Sequence, residues 1–236
     1  RMNMPVSALT DPRSEATRQR LIDTGLELFG RYGFDGVTTR QLAQAAQVNQ
    51  AAIPYHFGGK EGVYLAVAKQ IAANVGPQIC DLQKQAESRL SAESPQSLLL
   101  DITLKLAEIA FAPEHQKSWF ILLTREQFHP TAASEILYTG FMQPAHDMIG
   151  KLIARITSDD AESEDNILLA HAYLGQLIGF AIGKATLSRR LNWPLEFTPA
   201  EWQQIKATIA RFSQATIAGM TFNYADSKAN PAAPVR

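Results

Sequence analysis

Between Thr38 and Lys60 the chain gathers Thr38, Thr39, Arg40, Asn49, Gln50, Tyr55, His56 and Lys60. These are hydroxyls, carboxamides, an imidazole and two cations, groups suited to trading hydrogen bonds with a polar surface. Ala51 and Pro54 sit among them as small apolar contacts. Elsewhere the sequence holds no Gly-x-Ser-x-Gly, no phosphate loop and no dinucleotide fingerprint. His115, His129, His146 and His171 show neither HxxxH nor HxxE spacing, so no metal site and no cofactor are expected. The single cysteine, Cys80, excludes an intramolecular disulfide and a cysteine metal cluster, and fits a reducing, cytoplasmic setting.

The elements that must hold these groups read as two short helices joined by a tight turn. Leu42, Ala43, Ala46, Val48, Ala52 and Ile53 are the apolar or small positions. A helix-turn-helix needs small residues where its helices cross and aliphatic ones where they meet the core. Thr38 with Gln41 is a capping box for the first helix, and Asn49 suits the N-cap of the second. The alternative is an ordinary helical hairpin in a core.

The rest of the chain predicts an all-α protein, with no alternating strand pattern, no Asn-Gly hairpin and no internal repeat. Helices are expected over 14–32, ended by Gly33, and from Lys60 to a bend or break at Gly76-Pro77. Others are expected over 79–90, over 95–111 and from Pro113 to Pro130. The remaining three run from Thr131 to 156 with a kink at Pro144, over 163–190, and from Thr198. Residues 1–13 and 226–236 are expected to be disordered tails, the first without the apolar core of a signal peptide. Of 236 residues 46% are hydrophobic and 19% charged, enough to bury a sizeable core. Formal net charge is -1, but residues 13–60 hold six basic and four acidic side chains, a modest local excess of +2. The apolar run from Ile167 to Leu187 is broken by His171, Gln176 and Lys184, so a buried helix is expected and not a membrane span.

The stretch around the motif resembles the DNA-binding domain of the TetR family of bacterial repressors. The resemblance rests on Phe29-Gly30-Arg31-Tyr32-Gly33-Phe34, Thr38-Thr39, Ala43, Ile53, Tyr55-His56-Phe57 and Gly58-Gly59-Lys60-Glu61. Two positions depart: Gln47 stands where the family usually has glycine, and Pro54 where tyrosine is common. A second resemblance, from Thr124 to about Met220, is to the C-terminal domain of the CerR-type branch, which includes a regulator linked to chloramphenicol and cefoperazone sensitivity. It rests on Thr124-Arg125-Glu126-Gln127, Pro130-Thr131-Ala132-Ala133, and Gln143-Pro144 with His146.

The resemblance implies a helix-turn-helix domain over 14–59 and an effector-binding and dimerisation domain over 60–225, about nine helices in all. It implies a homodimer on a palindromic operator in double-stranded DNA, most simply a repressor. Thr38 and Thr39 would meet a phosphate at a helix N-terminus; Tyr55, His56 and Lys60 would clamp the far side of the groove, His56 alternatively packing inward. Arg40, Asn49, Gln50, Ala51 and Pro54 complete the expected DNA surface, Gln50 pairing with adenine and Ala51 and Pro54 meeting thymine methyls. A small lipophilic effector would be lined by Trp119, Arg125, Phe128, Phe141, Met142, His146, Tyr173, Gln176 and Phe180. Arg125 and Glu126 form the alternative of a buried ion pair fixing the turn after their helix. Gly175, Gly179 and Gly183, four residues apart, with Ile205, Ile209 and Phe212, would form the dimer interface. Competing readings are an activator or, from another class, an all-helical small-molecule-binding protein or an enzyme built on Arg125, Glu126 and the histidines.

Overall fold

The computed structural model describes residues 11–111 and 116–229, and the surroundings of side chains over 11–111 and 119–220. Within them lie eleven α-helices and no strand. They are α1 (Pro12–Tyr32), α2 (Thr39–Ala45), α3 (Ala52–Phe57), α4 (Lys60–Arg89), α5 (Pro95–Phe111) and α6 (Gln116–Phe128). After these come α7 (Ala132–Leu137), α8 (Gln143–Thr157), α9 (Glu164–Ile182), α10 (Lys184–Leu191) and α11 (Pro199–Ala229). A π-helical turn, Tyr138–Met142, joins α7 to α8. The packing forms two compact units: the chain to Asn74 with Glu114–Gly140, and Val75–Pro113 with Phe141 onward. The division falls inside α4 and places α6 and α7 with the helix-turn-helix, unlike the expected split at residues 59 and 60.

The first unit is built on α1. Asp11 accepts from the Arg13 N–H at its start, and Gly33 closes it with φ of 75° and its N–H on the Phe29 carbonyl. Any side chain at Gly33 would also meet Arg125, whose Nη1 lies 2.8 Å from where a Cβ would stand. Leu21, Ile22 and Phe29 are buried against α2, α3 and α6 together with Leu42, Ile53, Val63 and Leu122. Tyr64 stands edge-on to Phe29 and Phe34, ring centroids 5.0 and 5.2 Å away. Its hydroxyl donates to buried Glu126 on α6 at 2.5 Å. Burial and that hydrogen bond together push the Tyr64 phenol well above its ordinary range.

In the second unit α8 packs on α5, α9 and α11, with Leu98, Leu99, Ile102, Ile149, Leu152, Ile153, Ile205 and Ile209 fully or almost fully buried. Local signals set several helix starts. Ser94 accepts from the Ser97 N–H ahead of Pro95, Ser163 accepts from Asn166, and Thr198 and Glu201 form a reciprocal capping box.

Several boundaries differ from expectation, each for a physical reason. Helix α1 begins at Pro12, because Asp11-Pro12 is itself an N-cap and N1 pair. Helix α4 runs through Pro77. Val75, Ile79, Leu82 and Ala86 keep one buried stripe across the proline, so packing outweighs the lost rung. The helix expected over 163–190 ends at Gly183 and restarts as α10 with a 63° bend. A Cβ at Gly183 would lie 2.8 Å from the Gly179 carbonyl oxygen, so the bend requires glycine. The expected Pro144 kink takes the form of the π-helical turn just before it, with Pro144 in the first turn of α8. Helix α11 continues to Ala229, past the expected start of the tail. Residues 1–10 and 230–236, and the expected helix start at Pro113 with His115, lie outside the described residues. Among the described residues no single helix is long and apolar enough to cross a membrane.

Candidate nucleic-acid interface

The polar stretch singled out in the sequence lies on α2, α3 and their turn. Thr38 caps α2 as predicted. Its hydroxyl accepts from the Gln41 N–H at 3.2 Å, while its own N–H and hydroxyl donate to Gln41 Oε1 at 2.8 and 2.9 Å. That engagement corrects the reading of Thr38 as a phosphate donor. The first-turn N–H groups of Thr39 and Arg40 have no acceptor within the helix. Arg40 is exposed and Thr39 half-buried.

Gln47 takes φ of 53°, the left-handed turn where the family usually has glycine. Asn49 was expected to cap α3, but Ala51 holds that position with no side-chain cap, and Asn49 closes the turn just before it. Its Oδ1 accepts from the Ala51 N–H at 2.9 Å and its carbonyl from the Ala52 N–H at 2.9 Å. Helix α3 starts at Ala52, so Pro54 is its third residue, where an N–H has no partner within the helix anyway.

Asn49, Gln50, Ala51, Pro54 and Tyr55 are all exposed, Tyr55 at 82%. Gln50 Nε2 donates to Thr39 Oγ1 at 3.2 Å. His56 is half-buried, its ring edge-on to Tyr55 at 4.8 Å. Lys60 turns inward more than expected. Its ammonium donates to the Phe34 carbonyl at 2.9 Å and stands 4.2 Å from the Phe34 ring centroid. Arg18 of α1 lies 5.5 Å from the Phe57 ring at the end of α3 and pairs with Glu15 at 3.4 Å.

Residues expected around an effector divide between the units. Trp119, Arg125 and Phe128 fall in the first, and Phe141, Met142, His146, Tyr173, Gln176 and Phe180 in the second. Phe128 is 73% exposed, which removes it from any enclosed lining. Arg125 is exposed and donates to the Arg31 carbonyl at 3.4 Å, while Glu126 is buried with Tyr64 and Thr131. Glu126 does fix the α6–α7 turn, accepting from the Thr131 N–H at 2.9 Å, but not as an ion pair with Arg125.

In the second unit Tyr173 and Gln176 belong to a buried polar cluster. The Tyr173 hydroxyl lies 3.0 Å from Thr103 Oγ1, and Ser213 donates to Gln176 Oε1 at 3.1 Å. Burial raises the Tyr173 phenol above its ordinary value. Thr103 and Ser213 were missed; each is a hydroxyl set into a buried apolar stripe, Ile102–Leu106 and Ile209–Ile217, and that interruption was the available signal. His146 and His171 are brought together with ring centroids 5.9 Å apart. Burial first, then His171, lowers the His146 imidazole. Two open surface grooves are lined by Leu28, Tyr32 and Val37 with the α2 face, and by Gln78, Leu82 and Lys105. Neither touches the expected effector residues.

Gly175 and Gly179 lie exposed, with nothing among the described residues within 4 Å of where a Cβ would stand, and Phe212 is 59% exposed. Ile205 and Ile209 are corrected from interface to core, 2% and 0% exposed within the chain itself.

Two family models cover most of these elements. Residues 21–67 match "Bacterial regulatory proteins, tetR family", and residues 95–220 match the C-terminal domain of the HTH-type transcriptional dual regulator CecR. The chain is a TetR-family transcriptional regulator with a CecR-type C-terminal domain. CecR is the proper name of the branch expected as CerR-type. CecR of Shigella flexneri is 33% identical to this regulator over 196 residues, 81% of this chain and 86% of its own. The repressor NicS of Pseudomonas putida is 24% identical over 69% of this chain and 73% of its own. The repressor AcnR of Corynebacterium efficiens is 28% identical over 48% of this chain, which spans 62% of that relative. SCO4454, a TetR-family regulator from Streptomyces coelicolor, shares the fold with a TM-score of 0.60 at 17% identity, covering 93% of this chain and 98% of its own. These relatives are transcriptional regulators and not enzymes.

Proposed function

We propose that the regulator is a homodimeric repressor that grips a palindromic operator through residues 14–59 and leaves it when a small lipophilic effector binds within residues 60–225. The observation that carries the reading is the exposed row Asn49, Gln50, Ala51, Pro54 and Tyr55, which runs from the turn after α2 onto α3. In this reading the N–H groups of Thr39 and Arg40, with Tyr55, His56 and Lys60, position the domain on phosphates, and Gln50 and Ala51 meet base edges. A twofold dimer sets the two recognition helices about 34–36 Å apart, or a multiple of that.

Support for the dimer comes from the α9 and α11 surface. Each glycine inside a helix costs about 1 kcal/mol relative to alanine. No neighbour among the described residues accounts for Gly175 or Gly179, and close approach by a helix of a second copy would. For the effector, the remaining candidates are Phe141, Met142, His146, Tyr173, Gln176 and Phe180. Effector and operator must weaken each other by the same factor, whichever binds first. A second reading, activation at some promoters, is favoured by the CecR match, since that relative is named a dual regulator.

Gel shift on the DNA upstream of the protein's own gene tests the proposal. A discrete complex that survives random competitor DNA is expected, and Gln50→Ala should weaken it about tenfold or more. Equal affinity for random DNA overturns the reading. Transcription in vitro from the bound promoter separates repression from activation.

A further inference from the structure

We propose that His146 and His171 form a two-imidazole site for a divalent transition-metal ion, held across helices α8 and α9. The site is independent of the proposed operator and effector.

The two rings come from different helices, so no spacing along one helix announces them. Their centroids stand 5.9 Å apart. An imidazole nitrogen binds such an ion at about 2.0–2.1 Å. With about 1 Å more from that nitrogen to the ring centre, two imidazoles on one tetrahedral ion have centroids about 5 Å apart. The pair therefore lies within about 1 Å of a ligating arrangement. His171 is exposed, so its ring can turn to close the gap.

The ring nitrogens are uncommitted: among the described residues neither imidazole makes a hydrogen bond. Burial and the neighbouring His171 favour the neutral form of His146, which is the form that ligates. Asp147 acts on His146 in the opposite sense, with a negative charge that favours a cation there. Imidazole donors suit zinc, copper and nickel, whereas magnesium and calcium take oxygen donors. Among the described residues no third histidine, cysteine or carboxylate joins the pair, so water fills the remaining positions. An ion held in this way pins α8 to α9 and binds the folded chain in preference to the unfolded one.

The experiment titrates the full chain with zinc chloride alone, by calorimetry and by thermal melts. All chains carry Cys80→Ser, because the exposed Cys80 thiol is itself a zinc ligand. Losing an outer partner of a ligand already costs about 10–100-fold in metal affinity, so losing a ligand should cost at least that. His146→Gln and His171→Gln should each weaken zinc binding accordingly, whereas His129→Gln should leave it unchanged. Zinc at about ten times its dissociation constant should raise the melting midpoint by about 3 °C or more, and magnesium should not. The rise should vanish in either Gln variant of the pair. If His146→Gln fails to fold by circular dichroism, His171→Gln, at an exposed position, decides alone. Equal zinc affinity in His171→Gln overturns the site. Zinc bound without a rise in midpoint overturns the bridge between α8 and α9, and an equal response to magnesium overturns the class of ion.

Discussion

Gln47 holds the helix-turn-helix turn in a conformation unfavourable for a side chain. Its φ of 53° places it in the left-handed region, which costs a non-glycine residue about 1–2 kcal/mol. Gln47→Gly removes that strain, at the expense of a more flexible unfolded chain. A net gain of about 1 kcal/mol is expected, read as a raised denaturant midpoint with an unchanged slope; a lower midpoint would mean that the Gln47 side chain contributes more than its backbone costs. His146 supplies a pH dependence. Burial and the nearby His171 lower its imidazole, against a weaker opposing pull from Asp147. The unfolded chain therefore takes up a proton more readily than the folded one. Stability contributed here is fully present above about pH 6.5, the unfolded value, and falls as the pH drops below it towards the lowered folded value. His146→Gln should flatten the fall that sets in below about pH 6.5 in thermal melts. An unaltered pH profile would place the acid sensitivity elsewhere.

Helix ends were legible where the signal is local. The Thr38–Gln41 and Thr198–Glu201 boxes each lie within three residues, and both form. The course of α4 through Pro77 was not legible, because it depends on a buried stripe formed with other elements. The bend at Gly183 was hidden for a related reason, since Gly175, Gly179 and Gly183 look identical in the sequence. The structure separates them. A Cβ at Gly183 meets the Gly179 carbonyl, whereas one at Gly175 meets nothing. Gly183→Ala should lower stability by about 1–3 kcal/mol, through overpacking at the bend. Gly175→Ala should raise the stability of the isolated chain by about 0.5–1 kcal/mol. Denaturant unfolding at low protein concentration reads both, and matching signs would show that the contrast is unimportant. At the site, the exposed row in the turn and on α3 was legible from residue type, but the partners around it were not. Nothing in the spacing of Thr39 and Gln50 announces their hydrogen bond, nor that Glu126 takes Tyr64 in place of its neighbour Arg125.

At the scale of the whole molecule the proposed dimer makes the sharpest demand. Phe212 is 59% exposed on α11, so a charge placed there meets no core in this chain. Phe212→Glu should halve the sedimenting mass and leave the helical circular dichroism intact. A dimer of unaltered affinity would move the interface away from α11. Loss of helicity would instead make Phe212 part of the folded core, against its exposure here.

Pro77 brings a kinetic consequence. It stands in the interior of a 30-residue helix, two residues after the point where one compact unit gives way to the other. A proline there offers no N–H to the carbonyl of residue 73, so the helix is one rung short at its middle. Local opening begins where rungs are fewest. In deuterium-uptake measurements the amides just after Pro77 should exchange ahead of those around Val67 and Leu82, although all lie in one continuous helix. One continuous helix would then consist of two slowly exchanging arms with a fast-exchanging joint between them.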